Sequence, residues 1–569
     1  MVRKSYPDGT FDFADMVQGN YYFVDKTRMI ADLCEARNQV FLYTRPRRFG
    51  KSTNLSMLDH FFNMKYKGRG NPFEGLAVES CRGCDEHRNA YPVIRMNFGT
   101  LCGDSPEAFN ESLVQLIVGV CQSLDYLSDN LDGNDKLRTF LEKGYSGALS
   151  VSETRSFIPV LCGLIYERTG RKTVILVDEY DHCVQDIRSR ERLDSIVDVM
   201  NPFLEQTFKF NGYMHFGVIV GITTLVKAGM LSSLNNLVVC DILNTEGDEF
   251  FGFTEGEVKR LLEDTDSDDE AVLSEIREWY DGYRFGNADV YNPYSVILYL
   301  KSRNQKRDPD PARKYWEGTT AGGISEDLLG GLDVIPMMQL KSLVDGDESS
   351  SESRITSNIV YPDLISEHVD PALVYSYLAM CGYLRVERIG RDPATEDALC
   401  KVSMVNREIT PAFRILVSKS VEREKNVRME LARHLVSADP NEIRDDIRFI
   451  LAGIRMDRRW SEDSRAAHDL YKNAITSALR VSLMPATEEV PKGLGTVDIF
   501  VPPSSKRPAV AIEIKTSGTK DPMALADEAL MQMIDKGYTT EPLDGGVVWI
   551  ALGIRVKEVC VRTENGYSD

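Results

Sequence analysis

The sequence predicts an α/β fold in which a parallel sheet is followed by a helical middle region and a second, smaller α/β domain. In the first part of the chain, short apolar runs rich in β-branched residues alternate with helical patterns. This alternation is typical of parallel strands that helices cover on both faces. The strand candidates are residues 39–44, 91–98, 173–178 and 214–221, and the helix candidates between them are 52–65, 106–124, 152–168 and 190–207.

The middle and end of the chain have a different texture. Residues 255–300 and 370–437 are mainly helical in pattern, with a short strand candidate near 383–388. After two further helices, the last part contains strand candidates at 496–501, 508–515 and 545–551 and a helix candidate at 521–537. At roughly 100 to 200 residues per domain, we expect three domains, at 1–250, 251–440 and 441–569. An acidic, serine-rich run near 342–354 predicts a loop.

Composition and hydropathy narrow the class of protein. The 569 residues are 43% hydrophobic, and no apolar run reaches the roughly 18 residues that span a bilayer. The first residues lack the apolar stretch of a secretory signal, so we expect a cytoplasmic protein, or a nuclear one in a eukaryote. The eleven cysteines form no disulfide framework. Cys81, Cys84 and His87 have zinc-like spacing, but no second pair of ligands follows, so a loop with two thiols is expected.

The charge balance argues against binding nucleic acid through the overall field of the protein. The formal net charge is −20, which repels a polyanion. Contact with DNA or RNA therefore requires a local basic patch. The candidate patches are Arg45, Arg47 and Arg48, and Arg455, Arg458 and Arg459.

A phosphate-binding turn is predicted where the first strand meets the first long helix, in the run TRPRRFGKST at 44–53. Backbone N–H groups at a helix N-terminus hold phosphate oxygens, and the helix dipole adds to the attraction. Gly50 lets the backbone approach the phosphates, and Lys51 is placed to reach the β- and γ-phosphates. Ser52 offers a hydroxyl to Mg²⁺, and Thr53 continues the turn into the helix. This is the strand–turn–helix context of a P-loop, which binds a nucleoside triphosphate such as ATP.

The turn also departs from the usual P-loop pattern. Arg45 stands where the first glycine of that pattern is expected, and GKS alone also fits a basic surface turn before a helix. Arg47 and Arg48 either neutralise phosphate charge or form a solvated turn.

Two further strands carry polar residues at their carboxyl ends, where ligands bind in a parallel sheet. The run VILVDE at 174–179 has the form of a Walker B element. Asp178 would hold Mg²⁺ through water, and Glu179 would orient or deprotonate the attacking water. Thr223, after the next strand, is a candidate neighbour of the γ-phosphate or an ordinary turn residue.

Several motifs in the same order resemble the AAA-ATPase-like family over residues 20–300. They are YYFVDKTRMI at 21–30, LYTRPRRFGKS at 42–52, LVDEYD at 176–181, SSLNNL at 232–237, GFTEGEV at 252–258 and DGYRFG with YNPYSV at 281–296. The resemblance implies that Arg45 is the family's own form of the loop. It also implies that Asp25 and Lys26 lie near the nucleotide, and that a C-terminal nuclease-like domain often follows.

The C-terminal strands carry a second group of chemically active residues. Asp498 lies on one strand candidate, and Glu513 and Lys515 lie at i and i+2 on the next, so they share a face. Ala509 and Ala511 are on that same face, whereas alternate apolar residues point into a core. Two carboxylates and a lysine suit metal-dependent phosphodiester cleavage, with Asp498 and Glu513 as Mg²⁺ ligands. An exposed β-hairpin with charged surface positions would have the same sequence pattern.

The same string resembles the PD-(D/E)XK nuclease core, and Gln532 resembles the glutamine that some members carry on the following helix. Thr496 stands where those members have arginine, which leaves nuclease activity open. His468 is expected on the surface of a helix. The acid that this fold carries on its first helix is not fixed by the pattern, and the candidates are Asp469, Glu462 and Glu488.

Two functions from different classes fit these patterns. In the first, ATP turnover with Mg²⁺ gates cleavage of nucleic acid by the C-terminal domain, which makes nucleic acid the expected partner. In the second, the protein is a STAND-like nucleotide switch whose C-terminal domain binds nucleic acid or a partner without cutting. A third interpretation is a decayed mobile-element protein with neither activity. No membrane is expected as a partner, and the sequence leaves oligomeric state open.

Overall fold

The fold is taken from a computed structural model of the chain. It describes residues 4–7, 9–37, 39–127, 136–185, 187, 189–224, 231, 234–265, 267, 269–304, 311–316, 329, 332, 334–346, 351–356, 359, 361–364, 369–393, 395–452, 464–481, 484–504, 507–538, 546–556 and 558–566. These residues divide into two compact units. Unit 1 comprises 1–325, 342–364 and 371–414, and unit 2 comprises 326–341, 365–370 and 415–569. The three-domain division made from the sequence stays a prediction.

Unit 1 is built on a five-stranded sheet in the order β2-β3-β4-β1-β5, and its four strand pairings are all parallel. Strand β4 therefore lies between β1 and β3. The strands are β1 (Val40–Thr44), β2 (Val93–Asn97), β3 (Thr173–Asp178), β4 (Met214–Gly221) and β5 (Leu237–Cys240). All six residues of β3 are buried, as its apolar, β-branched run predicts.

Helices connect these strands, and their N-termini follow ordinary capping rules. Ser105 caps the helix that begins at Pro106, and Ser150 forms a capping box with Glu153. The helices are α1 (Phe13–Gln18), α2 (Arg28–Cys34), α3 (Lys51–Phe62), α4 (Pro106–Ser123), α5 (Lys136–Ser146), α6 (Val151–Thr169) and α7 (Arg190–Phe208). Helices α4 to α7 pack their apolar residues against one large core that includes strand residues such as Ile94, Ile175 and Ile219.

The rest of unit 1 mixes helices with small sheets, so the expectation of a helical middle region is only partly met. Helices α8 (Glu255–Asp264), α9 (Glu270–Tyr280) and α10 (Pro293–Asn304) enclose the hairpin β6 (Tyr283–Phe285) and β7 (Ala288–Val290). A three-stranded antiparallel sheet follows, in the order β8-β10-β9. Its strands are β8 (Ser351–Ile355), β9 (Leu384–Arg391) and β10 (Ala398–Met404).

The acidic run near 342–354 is not a loop along its whole described length, which corrects that prediction. Helix α11 (Val334–Asp345) extends into it from one side, and β8 occupies its other end. Ile355 is buried and β8 pairs with β10, so packing and cross-strand hydrogen bonds override the acidic, serine-rich composition. Helices α12 (Tyr361–Leu364) and α13 (Pro371–Met380) complete this part.

Unit 2 contains a five-stranded mixed sheet in the order β11-β12-β13-β14-β15, in which only β13 and β14 pair in parallel. Its strands are β11 (Thr487–Lys492), β12 (Gly495–Val501), β13 (Ala509–Thr516), β14 (Val547–Arg555) and β15 (Glu558–Gly566). Its helices are α15 (Pro440–Ala452), α16 (Ser464–Val481) and α17 (Pro522–Asp535), and α14 (Thr410–Ser437) runs from unit 1 into unit 2. The sequence had predicted β12 to β14 but neither edge strand.

The two faces of β13 lie in different cores, as its alternation predicts. Val510, Ile512 and Ile514 pack with α15 and α16, whereas Ala509 and Ala511 pack with Ala529 and Met533 of α17. Across the described part of the chain, no helix combines the length and apolar character needed to cross a bilayer. The eleven cysteines are all free thiols.

Candidate functional site

The turn between β1 and α3 has the geometry of an anion-binding loop. Helix α3 begins at Lys51, and Gly50 caps it with a left-handed φ of 80°. A side chain is strained at this φ, although a Cβ there would meet open space. The free N–H groups of the first turn of α3 belong to residues that line a cavity of about 580 Å³. This volume is in the range of small-molecule sites.

The strand order brings the predicted phosphate and magnesium residues to one end of the sheet. Both β1 and β3 are parallel to β4, so their carboxyl ends lie at the same edge. Among the residues that line the cavity are Gly50, Lys51, Ser52, Thr53, Asp178 and Glu179. Lys51 and Asp178 therefore face one cavity, as the sequence predicted.

Lys51 is folded back onto its own loop. Its Nζ donates to the carbonyl oxygens of Arg45, at 2.9 Å, and Pro46, at 2.8 Å. Burial lowers the pKa of Lys51 to about 8, while Asp181, Asp178 and Glu179 oppose that shift. The ammonium thus lies near three acids, and an added anion would further favour its charged form.

Asp178 offers an unused ligand atom. Its side chain is buried, and its Oδ1 accepts no hydrogen bond from the described residues. A buried carboxylate oxygen without a partner is costly unless something outside the chain pairs with it. Oxygen ligands of this kind, together with the hydroxyl of Ser52, fit Mg²⁺.

Arg45 is a structural residue, which corrects its assignment to a surface basic patch. Its side chain is fully buried, and NH1 donates to the carbonyls of Thr44, at 2.8 Å, and Cys240, at 2.7 Å. The guanidinium lies over the rings of Phe285, at 4.8 Å, and Phe251, at 5.4 Å. It ties the end of β1 to the end of β5, so the loop is held by an arginine where the usual pattern has a glycine.

The other two arginines of the loop do line the cavity. Arg47 donates from NH2 to Gln185 Oε1 at 3.1 Å, and Arg48 lies 4.4 Å from the ring of Tyr294. Arg48 has a φ of 69° and is exposed. Both arginines therefore line the cavity, and their neutralisation of phosphate charge stays a prediction.

Asp181 is the residue of this site that the sequence analysis missed. Its Oδ2 accepts hydrogen bonds from the amides of Ile222, at 3.0 Å, and Thr223, at 2.8 Å, and from the hydroxyl of Thr223, at 2.9 Å. The turn after β3 is thereby fixed to the end of β4. Because the hydroxyl of Thr223 already donates its hydrogen bond to Asp181, the structure argues against a direct contact between Thr223 and a γ-phosphate. The sequence signal was the third acid in LVDEYD. Asp181 also has the largest of the charge effects that oppose the lowering of the pKa of Lys51.

Glu179 turns away from the strand with a φ of 52° and is exposed to the cavity. Its carboxylate lies so close to Gly99 that a Cβ on that glycine would be 2.1 Å from Oε2. Lys26 also lines the cavity, but its Nζ is held by Glu257 Oε2, at 2.6 Å, and by the carbonyl of Glu249, at 2.8 Å. Asp25 instead accepts from the amides of Thr27 and Ala77, so its role is to fix the backbone.

Unit 2 contains the second group of predicted site residues. Asp498 Oδ2 accepts from the amide of Ile514, at 2.7 Å, and lies 3.1 Å from His468 Nε2. Glu513 is buried, and its Oε1 lies 3.4 Å from Lys515 Nζ. The structure therefore brings Asp498, Glu513 and Lys515 together on adjacent strands.

Glu513 is also contacted by one residue of α17 and by one residue of the turn that follows this helix. Gln532 donates to Glu513 Oε1, and the hydroxyl of Tyr538 lies 3.4 Å from Oε2. Burial raises the pKa of Glu513 to about 7, and the nearby charge of Asp498 adds to the rise, while Lys515 opposes it. The carboxyl is therefore half-protonated near neutral pH and is surrounded by partners from its own chain.

His468 is part of this site, which corrects its assignment to the helix surface. Its side chain is mostly buried, and hydrogen bonding to Asp498 raises its pKa. Asp469 is more than half exposed and pairs with Lys472 at 3.4 Å, Glu488 lies on the edge strand β11, and Glu462 lies outside the described residues. Tyr538 was also missed, since a tyrosine after a helix has no distinctive sequence signal.

No described group of three or more histidine, cysteine, aspartate or glutamate side chains is arranged to hold a metal ion. This finding includes the zinc-like run at Cys81, Cys84 and His87, where His87 Nδ1 lies 2.7 Å from the hydroxyl of Tyr91. It also includes Asp498 and Glu513, which supply two carboxylates between them.

The parallel sheet of unit 1 and the cavity at its carboxyl ends define an α/β domain that is consistent with a P-loop-like fold. Residues 7–231 match the model of the AAA-ATPase-like family, described as "Predicted AAA-ATPase". This match supports nucleotide binding and hydrolysis by that part of the chain. A protein of Azotobacter chroococcum mcd 1, described as "Uncharacterized protein in vnfD 5'region", is 30% identical over 335 residues. That similarity covers 58% of this chain and 57% of the relative, so the chain spans little more than half of the relative's length.

Proposed function

We propose that unit 1 binds ATP in the cavity at the carboxyl ends of β1 and β3 and hydrolyses its terminal phosphoanhydride. The observation that carries the proposal is that Lys51 and the unpartnered carboxylate oxygen of Asp178 line one cavity of about 580 Å³. The amides at the start of α3, Lys51 and Arg47 bind the phosphate oxygens. Glu179 orients the attacking water and accepts its proton.

Mg²⁺ is the expected cofactor of this site. Ser52 and Asp178 would hold it, and when bound it would supply charge neutralisation across the β- and γ-phosphate oxygens. The rest of the chemistry depends on positioning by the chain. Asp181 fixes the turn that carries Glu179, and Arg45 fixes the strand end that carries the loop.

Release of phosphate from ATP tests this proposal. Wild-type protein should hydrolyse ATP, and Lys51→Ala should lose at least about tenfold of kcat/KM, because a charged hydrogen bond to phosphate contributes about 1.5 to 3 kcal/mol. The exposed Lys67 is the matched control, and Lys67→Ala should retain full activity. Equal activity in wild type and Lys51→Ala would contradict the assignment of this cavity.

We also propose a second function, metal-dependent cleavage of a nucleic-acid phosphodiester by unit 2. Support comes from the convergence of Asp498, Glu513 and Lys515 on adjacent strands and from Gln532, which donates to Glu513. Mg²⁺ commonly binds through one or two carboxylates and keeps several waters, so this pair fits it. A cation bound there would lower the pKa of a bound water molecule and would offset negative charge on the phosphate. Lys515 would then offset developing negative charge.

Cleavage assays separate this function from the nucleotide-switch alternative. We expect single- or double-stranded DNA or RNA to be cut in the presence of ATP and Mg²⁺ or Mn²⁺, and the cutting should vanish in Asp498→Ala. The exposed Asp445 of α15 is the control, and Asp445→Ala should still cut. No cleavage by wild type under any of these conditions, or equal cleavage by Asp498→Ala, would favour a switch whose unit 2 binds without cutting.

A further inference from the structure

Unit 1 has a cluster of cations and exposed aromatic rings at the sheet edge opposite the phosphate cavity. Arg171 and Lys172 directly precede β3, Tyr213 directly precedes β4, and Phe210 lies four residues before the start of β4. Because β3 and β4 are adjacent and parallel, their starting ends lie side by side. The amide of Thr173 donates to the carbonyl of Tyr213 at 2.8 Å, which ties the two starting ends together.

The aromatic rings in this cluster are exposed to an unusual degree. The exposed fractions are 58% for Phe210, 44% for Tyr213 and 39% for Tyr166. Tyr213 packs against the backbone of Gly163 in α6, where a Cβ would lie 3.2 Å from its ring. The rings of Tyr166 and Tyr213 lie 5.3 Å apart. The absence of a side chain at Gly163 therefore lets the ring of Tyr213 lie against α6, with part of its surface open to solvent.

The cations around these rings are available to an outside ligand. Within the part of the chain that the structure describes, Arg171, Lys172 and Lys209 form no ion pair. Lys209 lies 5.2 Å from the ring of Phe210. The one acid among the neighbouring residues of α6, Glu167, is 65% exposed and lies 3.8 Å from Lys136. In a chain with a net charge of −20, an unpaired basic cluster stands out as a local exception.

The titration of a nearby histidine shows that the cations converge. Burial lowers the pKa of His215 to about 4, and His87, Arg37, Lys172 and Arg171 add to the shift. His215 is the second residue of β4, so cations that precede β1 and β3 both act on the same ring. Arg37, Arg171 and Lys172 therefore lie near this edge of the sheet, and Glu86 is an acid that acts on the adjacent His87.

We propose that Arg171, Lys172, Lys209, Tyr166, Phe210 and Tyr213 form a surface of unit 1 that binds single-stranded nucleic acid. The cations bind the phosphates, and the rings stack on the bases, which is the combination used by proteins that bind single strands without sequence preference. Of the basic patches expected from the sequence, the first contains the buried Arg45, and Arg455, Arg458 and Arg459 of the second lie outside the described residues. This surface lies apart from the ATP cavity and does not rest on the nuclease proposal.

A nucleic acid is favoured over an anionic membrane for two reasons on this surface. The ring of Tyr213 is held by packing against Gly163 and so presents a preformed stacking platform, which a fluid lipid surface does not require. Membrane-binding surfaces also rely on a continuous apolar face of a helix, whereas here the rings come from the end of α6 and the turn after α7.

Fluorescence anisotropy with a labelled oligothymidylate of about 16 nucleotides tests the proposal. The titration uses the full chain with EDTA, so that no metal-dependent cleavage intervenes. Wild type should bind, with a salt slope of about −0.7 per neutralised phosphate. Arg171→Glu with Lys172→Glu should weaken binding at least tenfold, and Tyr213→Ala should weaken it about fivefold or more.

The matched control reverses the same number of charges elsewhere in unit 1. Arg388→Glu with Lys401→Glu, at exposed positions of β9 and β10, should leave the affinity within about twofold of wild type, because distant charges are screened. Circular dichroism checks that each variant is folded.

Four results would overturn the proposal. They are failure of wild type to bind the oligonucleotide, an equal loss in the Arg388 and Lys401 control, full affinity in a folded Tyr213→Ala, and binding to phosphatidylserine vesicles without binding to the oligonucleotide. The third result would reduce the surface to a general anion site, and the fourth would assign it to a membrane.

Discussion

The two candidate sites both combine buried carboxylates with a lysine, but they leave those groups in different states. In unit 1, Asp178 Oδ1 has no partner among the described residues and faces an open cavity. In unit 2, Asp498 is engaged by Ile514 and His468, and both oxygens of Glu513 lie beside Gln532, Lys515 or Tyr538.

Unit 1 therefore has a buried carboxylate oxygen without a partner among the described residues, whereas in unit 2 Oδ2 of Asp498 and both oxygens of Glu513 already have partners in the chain. A buried oxygen without a partner costs free energy that a bound cation recovers. A carboxylate that already accepts hydrogen bonds gives a ligand less to gain, because those bonds must be exchanged. We therefore expect unit 1 to bind its cofactor in a preformed cavity and unit 2 to need rearrangement of Gln532 or Lys515.

The largest expected effect concerns Glu179, which is free in the open site. Glu179→Gln should slow ATP hydrolysis by about 100-fold to 10,000-fold, because the attacking water loses its base. ATP binding should be retained, since the side chain does not hold the phosphates. Single-turnover hydrolysis and a binding titration measure the two effects. Phosphate release at the wild-type rate would remove Glu179 from the mechanism.

A substitution of Arg45 tests whether the cavity of unit 1 depends on the buried hydrogen bonds that tie the end of β1 to the end of β5. Arg45→Met should destabilise unit 1 by about 3 kcal/mol or more, because it leaves the carbonyls of Thr44 and Cys240 without their buried donor. Chemical denaturation measures this change. The exposed Arg48 is the control, and Arg48→Met should cost less than about 1 kcal/mol, since it loses only its contact with Tyr294. Similar losses in the two variants would contradict the structural role of Arg45.

The pH dependence of folding stability tests the assignment of Glu513 as a buried carboxyl in unit 2. Its pKa of about 7 lies above its ordinary value of 4.5, so folding favours the protonated carboxyl. The contribution is full below about pH 4.5 and is lost as pH rises through about 7. With a chelator present, Glu513→Gln should gain stability relative to wild type across this range, by an amount on the order of 3 kcal/mol. A stability difference that stays constant with pH would show that Glu513 is not a buried carboxyl with a raised pKa.

The smallest expected effect concerns Asp181. In Asp181→Asn, Lys51 loses the strongest of the charges that oppose the fall of its pKa below 10.5. The pKa of Lys51 should therefore fall further, and the pH above which ATP affinity declines should move down by about one unit. Affinity titrations between pH 6 and pH 9, in steps of about half a unit, measure the shift. An unchanged pH profile would mean that Asp181 acts only by fixing the backbone of Ile222 and Thr223.

The parallel sheet and the phosphate loop were predictable because each depends on local sequence. The β-branched run of β3 and the strand–turn–helix pattern around Gly50 and Lys51 fix their own structure. The roles of Arg45 and Asp181 depend on partners that are distant in sequence, such as Cys240 for Arg45 and Thr223 for Asp181. A single sequence does not reveal such pairs.

The same limit explains the errors in unit 2. His468 has the pattern of a helix-surface residue, and only the packing of α16 against β12 and β13 places it beside Asp498. The edge strands β11 and β15 carry polar residues that period-2 patterning does not separate from loops. The face of β13 that carries Glu513 was predictable, since its alternation is strict.

Calorimetric titration of ATP, with and without Mg²⁺, into wild type, Lys51→Ala and Asp178→Asn tests the central claim most directly. If Lys51 and Asp178 serve one bound Mg·ATP, Lys51→Ala should lose at least about tenfold in affinity with or without the metal. Asp178→Asn should instead lose the gain in affinity that Mg²⁺ provides to wild type. ATP affinities equal to wild type in both variants, under both conditions, would contradict the account.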